Sequence, residues 1–224
     1  MVGAASLGSV DAALRSGSRS TLSAPSLAAL FAIIGVSGAL YGAALGGYSA
    51  THGALSRQVL YSAAKVPLLI VVTFAISLPS FFVLNALLGL RSQLRPAIGA
   101  LLTAQACAAI ALASFAPITI LWYASWNDYQ AAKLFNAFAF GSASLLAQLP
   151  LRRLYAPLLA HQPRSRWLLR AWLVIYGFVG IQLAWVLRPF VGSPSLEPRF
   201  LREGAWGNAY LHLVEVISDV LEKL

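Results

Sequence analysis

Residues 66–90 read VPLLIVVTFAISLPSFFVLNALLGL, a run without one charged side chain. At about 1.5 Å of rise per residue, a helix of that length covers the roughly 30 Å of hydrocarbon in a bilayer. Pro79 in its middle would break a soluble helix but is tolerated in a span, where neighbouring groups bond the freed carbonyl. A helix apolar on every face needs hydrocarbon or a large core around it. Pro25–Tyr48, Ala97–Tyr123, Ala131–Leu149 and Trp167–Leu187 are also predominantly apolar and long enough to cross. The sequence therefore predicts an all-α, polytopic transmembrane helix bundle of five spans, with Val66–Leu90 as the second.

Composition agrees. The chain of 224 residues is 59% hydrophobic and 10% charged, with mean hydropathy +0.74, whereas an ordinary soluble domain is about 25% charged. A soluble globule and a disordered chain are both excluded. So is a disulfide-stapled module, because Cys107 is the only cysteine and has no partner within the chain. The net charge of +9 would suggest nucleic acid in a soluble protein, but beside spans it reflects loops held near anionic headgroups. Membrane lipids are the expected partners, and no nucleic acid is expected.

Outside the spans, residues 1–24 are rich in Ala, Ser and Gly and lack the unbroken apolar run of a cleavable signal peptide. They read as a disordered N-terminal leader. The transmembrane domain is expected over 25–190. Ser56–Lys65 is too short and polar to cross and reads as an interfacial helix ending at Pro67. Residues 191–224 read as an extracytoplasmic cap followed by an amphipathic C-terminal helix from about Asn208, with Leu211, Val214, Ile217, Leu221 and Leu224 near one face. Arg188, Phe190, Trp206 and Tyr210 are the cap's candidate anchors.

Loop charge sets orientation. Arg15, Arg19, Arg91, Arg95, Arg152, Arg153, Arg164, Arg166 and Arg170 fall on the side of the N-terminus, opposed by Asp11 alone. Seven basic residues and the other six acids fall on the opposite side. This predicts an N-terminus in the cytoplasm and a C-terminus outside. The loop over 152–170 carries most of the bias. Trp122, Tyr123, Trp126 and Tyr129 bracket the turn between spans three and four, as rings at headgroup depth do.

Few residues carry chemistry. Gly38, Gly42 and Gly46 repeat every four positions, so one helical face is small enough for a second backbone to approach. That face suits packing within the bundle or association with a protein partner or a second copy. The polar residues within spans include Asn85, Gln105, Asn136 and Gln182, which either bond between helices or line a pathway. No Asp or Glu lies within a span, which counts against ion-coupled transport. Gly35-Val36-Ser37-Gly38 matches the Gly-X-Ser-Gly string of rhomboid proteases. However, His52, His161 and His212 all fall in loops or the tail, leaving the serine without a base. No metal motif, Walker loop or carboxylate cluster is present, so no cofactor is expected.

Three stretches carry a resemblance: Tyr61-Ser62-Ala63-Ala64-Lys65-Val66-Pro67-Leu68-Leu69, Leu78-Pro79-Ser80-Phe81-Phe82-Val83-Leu84-Asn85-Ala86-Leu87-Leu88-Gly89 and Ala184-Trp185-Val186-Leu187-Arg188-Pro189-Phe190-Val191-Gly192. Through them the chain resembles an uncharacterised family of bacterial polytopic membrane proteins, over most of Val59 to Tyr210. The resemblance implies the architecture and brings no activity. In layout alone the chain is also similar to the Yip1 family of membrane-shaping proteins. The leading functional expectation is a non-catalytic structural or assembly component acting through helix packing and the cap. The rivals are a small-molecule or lipid transporter or channel lined by Asn85, Gln105, Asn136 and Gln182, and, third, an intramembrane enzyme. A dry, closed bundle would favour the first, and a continuous polar cavity past Gln105 the second.

Overall fold

The computed structural model of the chain describes residues 26–51, 57–126, 128–192, 198–202 and 207. Among them all regular structure is helical: α1 (Leu27–Thr51), α2 (Arg57–Leu87), a single 3-10 turn (Arg91–Gln93), α3 (Leu94–Ser125), α4 (Tyr129–His161) and α5 (Ser165–Leu187). All five α-helices are long and apolar enough to cross a membrane. The chain is a five-span, multi-pass membrane protein. The expected leader over 1–24, the C-terminal amphipathic helix, Trp206 and Tyr210 lie outside the described residues.

The helices alternate in direction. α1 packs on α2 and α3, α3 on α4, and α2 on α5, whereas α4 and α5 scarcely touch each other. The order across the bundle is thus α5, α2, α1, α3, α4. α3 buries 50% of its apolar span among its neighbours and α5 only 6%, so α5 is a peripheral helix with most of its surface left for lipid. Tyr41, Leu45 and Tyr48 of α1, Phe81 of α2, Leu101 of α3 and Tyr155 of α4 are among the fully buried side chains of one continuous core.

The α1–α2 contact comes from the glycine repeat. A Cβ on Gly38 would lie 3.1 Å from the Pro67 nitrogen, and one on Gly46 2.5 Å from the Val59 Cα and 2.8 Å from the Gln58 carbonyl oxygen. One on Gly42 would run into the Ser62 carbonyl and lie 2.8 Å from the Ala63 Cα. Only hydrogen fits between the two backbones, and α2 therefore occupies this face within the chain.

Two sequence expectations about helix ends are corrected. Ser56–Lys65 is not a separate interfacial helix, because α2 begins at Arg57 and passes through Pro67 without a break. Its polar residues Gln58, Ser62 and Lys65 are buried against backbone carbonyls at the end of α5, so they have partners within the protein. The expected loop over 152–170 is mostly helix. α4 runs to His161 and α5 starts at Ser165, leaving three residues between them. At 33 residues α4 is roughly 50 Å long and outlasts the hydrocarbon. Charged residues end the apolar run but do not end the helix.

The helix starts are locally specified. The Ser26 hydroxyl accepts from the Ala29 amide, and the Asp128 carboxylate accepts from the amides of Gln130 and Ala131, each meeting donors that the first turn leaves free. Gly89, at φ +71°, makes the turn after α2 in the left-handed region that glycine enters without steric cost.

Candidate functional site: a cavity between α4 and α5

Because α4 and α5 diverge, a partly open cavity of about 940 Å³ lies between them, floored by α1, α2 and α3. Small residues keep it empty of protein atoms. Ala104 and Ala108 of α3, Ala143 and Ala147 of α4, and Gly177, Gly180 and Ala184 of α5 all face it. A Cβ on Gly177 would meet nothing within 4 Å. Leu45, Ile70, Leu112 and Leu173 make most of the remaining wall apolar.

A few polar groups interrupt that wall. The Tyr176 hydroxyl donates to Gln105 Oε1 at 2.8 Å, joining α5 to α3 across the cavity. Asn136 accepts from the Tyr41 hydroxyl at 3.0 Å and donates both to the Tyr123 hydroxyl and to the Ala132 carbonyl, each at 2.6 Å. This amide makes three hydrogen bonds and pins α4 to α1 and α3. The Thr73 side chain is fully buried and lines the cavity, and its Oγ1 has no hydrogen-bond partner. Such a hydroxyl costs about 1–3 kcal/mol unless something accepts from it.

The cavity wall changes character where α4 begins and α5 ends. There Lys133, Arg188 and Arg202 contribute to it, with Pro189, Phe190 and Val191. This turn is held tightly. Lys65 Nζ donates to the Pro189 carbonyl at 2.6 Å, Ser62 Oγ to the Phe190 carbonyl at 2.5 Å, and the Tyr129 hydroxyl to the Val191 carbonyl at 3.3 Å. Lys65 is fully buried and also lies 5.1 Å from the centre of the Phe200 ring, which meets Tyr61 edge-on. The anchored turn puts the Arg188 guanidinium over the Trp185 ring at 3.4 Å, leaving its buried Nε without a partner. Desolvation, and secondarily the nearby Arg202, lower the Arg188 pKa.

Of the amides picked from the sequence, Gln105 and Asn136 come together on this wall, and Asn85 and Gln182 do not. Asn85 is buried near the far end of α2 with neither side-chain atom bonded, and Gln182 donates to the Gly207 carbonyl at 3.0 Å. Arg188 and Phe190 are in the wall. Sequence reasoning missed Lys65, Tyr176 and Arg202 as site residues, and had Thr73 only as one more polar residue within a span. Lys65 and Arg202 were visible only as loop charges, and Thr73 and Tyr176 sit at ordinary positions within spans.

Among the described residues, no group of three or more His, Cys, Asp or Glu side chains could hold a metal ion. Asp128 is the only described carboxylate. It caps the α4 backbone. Comparison of the chain with protein-family models, curated proteins and solved structures returns no match.

Proposed function

We propose that this multi-pass protein holds the hydrocarbon portion of a membrane lipid in the cavity between α4 and α5, as a binding or transfer site without catalysis. The supporting observation is the cavity itself. It lies at the upper end of the roughly 300–1,000 Å³ range of ligand sites, and its wall is apolar with few polar groups, unlike the polar pathway an ion or solute channel would need. An ion or sugar would need a polar lining along the whole path. An acyl chain needs what is present here, a smooth apolar slot opening between two helices that stand in lipid. The wall's amides, hydroxyls and cations suit recognition of a ligand.

The membrane we assign is a bacterial inner membrane, with the N-terminus in the cytoplasm. The resemblance of the three quoted stretches supports the first part. The charge pattern supports the second, because Arg91, Arg95, Arg152, Arg153, Arg164, Arg166 and Arg170 are all exposed, whereas at the other end Lys65 is buried and, among the described residues, Arg57, Lys133 and Arg199 are exposed. A reporter that works only outside the cytoplasm, fused after Gln162, should be silent, and activity there would reverse the assignment.

The assembly-component reading stays second. It is favoured by the C-terminal segment, whose Phe200 ring packs on Tyr61 and offers a shaped surface at that end. Gly177→Trp separates the two readings by placing an indole in the open slot. Purified in mild detergent, the unmodified protein should retain about one lipid per chain, as expected for one slot of this size, and the variant should lose most of it. No retained lipid in the unmodified protein, or equal amounts in both, would overturn the lipid reading.

A further inference from the structure

One end of the cavity is cationic and the rest is not. Lys133, Arg188 and Arg202 all line the end where α4 starts and α5 stops. The only described carboxylate, Asp128, is engaged with amides of the α4 backbone. Guanidinium groups kept near one another and partly out of water repel unless an anion lies between them. The protein fixes them there all the same. Lys65, Ser62 and Tyr129 fasten the turn that carries Arg188, and Trp185 supports the guanidinium plane at 3.4 Å. The stacked plane keeps Nε buried, and the outer nitrogens of a guanidinium are suited to bidentate contact with phosphate or carboxylate oxygens.

The cavity thus has cations without a carboxylate partner among the described residues at one end, and largely apolar walls further in.

We infer that Arg188 and Arg202, with Lys133, receive the acidic headgroup of an anionic membrane lipid whose acyl chain occupies the cavity. This rests on the reading that the cavity holds a hydrocarbon chain, and it adds the headgroup class. A zwitterionic lipid would bring its own cation to a site that already has three, and a neutral glyceride would leave the guanidinium groups unpaired. An exposed surface patch would attract anionic lipid through diffuse charge alone, but a stacked and anchored arginine is committed to one position.

The test uses the full chain in mild detergent, equilibrated with equal amounts of phosphatidylglycerol and phosphatidylcholine of identical acyl chains. Retained lipid is then quantified after removal of excess. The unmodified protein should favour phosphatidylglycerol about tenfold, a difference that one good charge-assisted contact supplies. Arg188→Gln with Arg202→Gln should bring the ratio near one while total retained lipid stays the same. Arg202→Glu alone, which leaves the Arg188 stack intact, should lower the ratio as well. Arg164→Gln with Arg166→Gln, at the opposite end of the bundle, should not change it. An unchanged ratio in the Arg202 variants overturns the inference, as does an equal loss in the Arg164 and Arg166 variant. Displacement of phosphatidylglycerol by inorganic phosphate would point to a free-anion site and also overturn it. If the unmodified protein retains both lipids equally, only the headgroup assignment fails, whereas if it retains neither, the hydrocarbon reading fails with it.

Discussion

The α1–α2 interface and the α4–α5 gap are built from the same small residues and come out opposite. Between α1 and α2, Gly38, Gly42 and Gly46 let the backbones close until a methyl group has no room. Between α4 and α5, Ala143, Ala147, Gly177 and Ala184 face a cavity. The difference lies in what else joins the helices. α2 is drawn onto the rest of the bundle over its first third, by the α1 glycines and by carbonyls of the turn after α5. α5 is held by α2 through Phe74, Phe81 and Trp172, whose rings meet edge-on at 5.5 and 5.2 Å, and has almost nothing drawing it to α4. In hydrocarbon there is no hydrophobic force to close such a gap, because lipid chains solvate apolar side chains as well as leucines do. Small residues permit contact, and only directional or shape-specific partners enforce it.

The sharpest way to break this comparison is Gly42→Leu. The new side chain would run into the Ser62 carbonyl and the Ala63 Cα, which are backbone atoms of a fully formed helix and cannot swing aside. Separating α1 from α2 would also part Gln58, Ser62 and Lys65 from the carbonyls they hold. The expected cost exceeds about 4 kcal/mol, in the range of severe core overpacking combined with lost buried bonds. It should appear as loss of monodisperse protein in detergent. Purification in normal yield with unchanged thermal stability would show that the two backbones are not in contact.

The glycine spacing made that close helix contact legible in the sequence, and apolar length made the five spans legible. The ends of the helices were not, because Arg57 to Lys65 and Arg152 to His161 are polar but still helix-compatible, and helices do not stop where hydrocarbon does. Pro67 reads as a boundary in a list of local preferences, yet it removes only one amide donor, and Pro67 itself and the α2 turn before it are packed on Gly38 and Gly42. The cavity was the least legible part. Its volume depends on the divergence of α4 from α5, and Ala143, Ala147 and Gly180 read equally well as a close-packed seam. Lys65 gave no sign of burial, since its hydrogen-bond partner is a backbone carbonyl 124 residues away, and carbonyls have no sequence signature.

A smaller effect is expected where the sealed side and the open side meet, at Asn136. Its amide ties α4 to Tyr41 and Tyr123, on the closed edge of the same helix that borders the cavity. Asn136→Leu would strand two buried hydroxyls, and the measured range for interhelical bonds in membranes sets the cost at about 1–2 kcal/mol. Thermal unfolding in detergent should show this loss. Adding Tyr41→Phe and Tyr123→Phe should recover most of it by removing the stranded groups. If the triple variant is no more stable than the single one, the network contributes shape, and its hydrogen bonds are not what joins α4 to the sealed side.

The smallest stability effect belongs to Gly177→Trp, the substitution that should empty the slot of lipid. It is the mirror of Gly42→Leu, with a large side chain on a helical glycine facing a neighbouring helix. By the close-packing logic of α1 and α2 it ought to be ruinous. But a Cβ at Gly177 meets nothing within 4 Å, and a helical glycine is the least favourable residue apart from proline, so any replacement gains a few tenths of a kcal/mol in propensity, to about 0.5 for tryptophan. The indole should lie in the cavity against apolar walls, much as an acyl chain would. In detergent without added lipid, the midpoint of thermal unfolding should therefore stay the same or rise slightly. With lipid present, the unmodified protein should gain stability from binding and the variant should not, since only a folded state that takes up ligand is stabilised by it. A large loss of stability in the lipid-free measurement would mean that α4 and α5 close on each other in solution. The contrast between the two small-residue faces would then vanish, and the cavity with it.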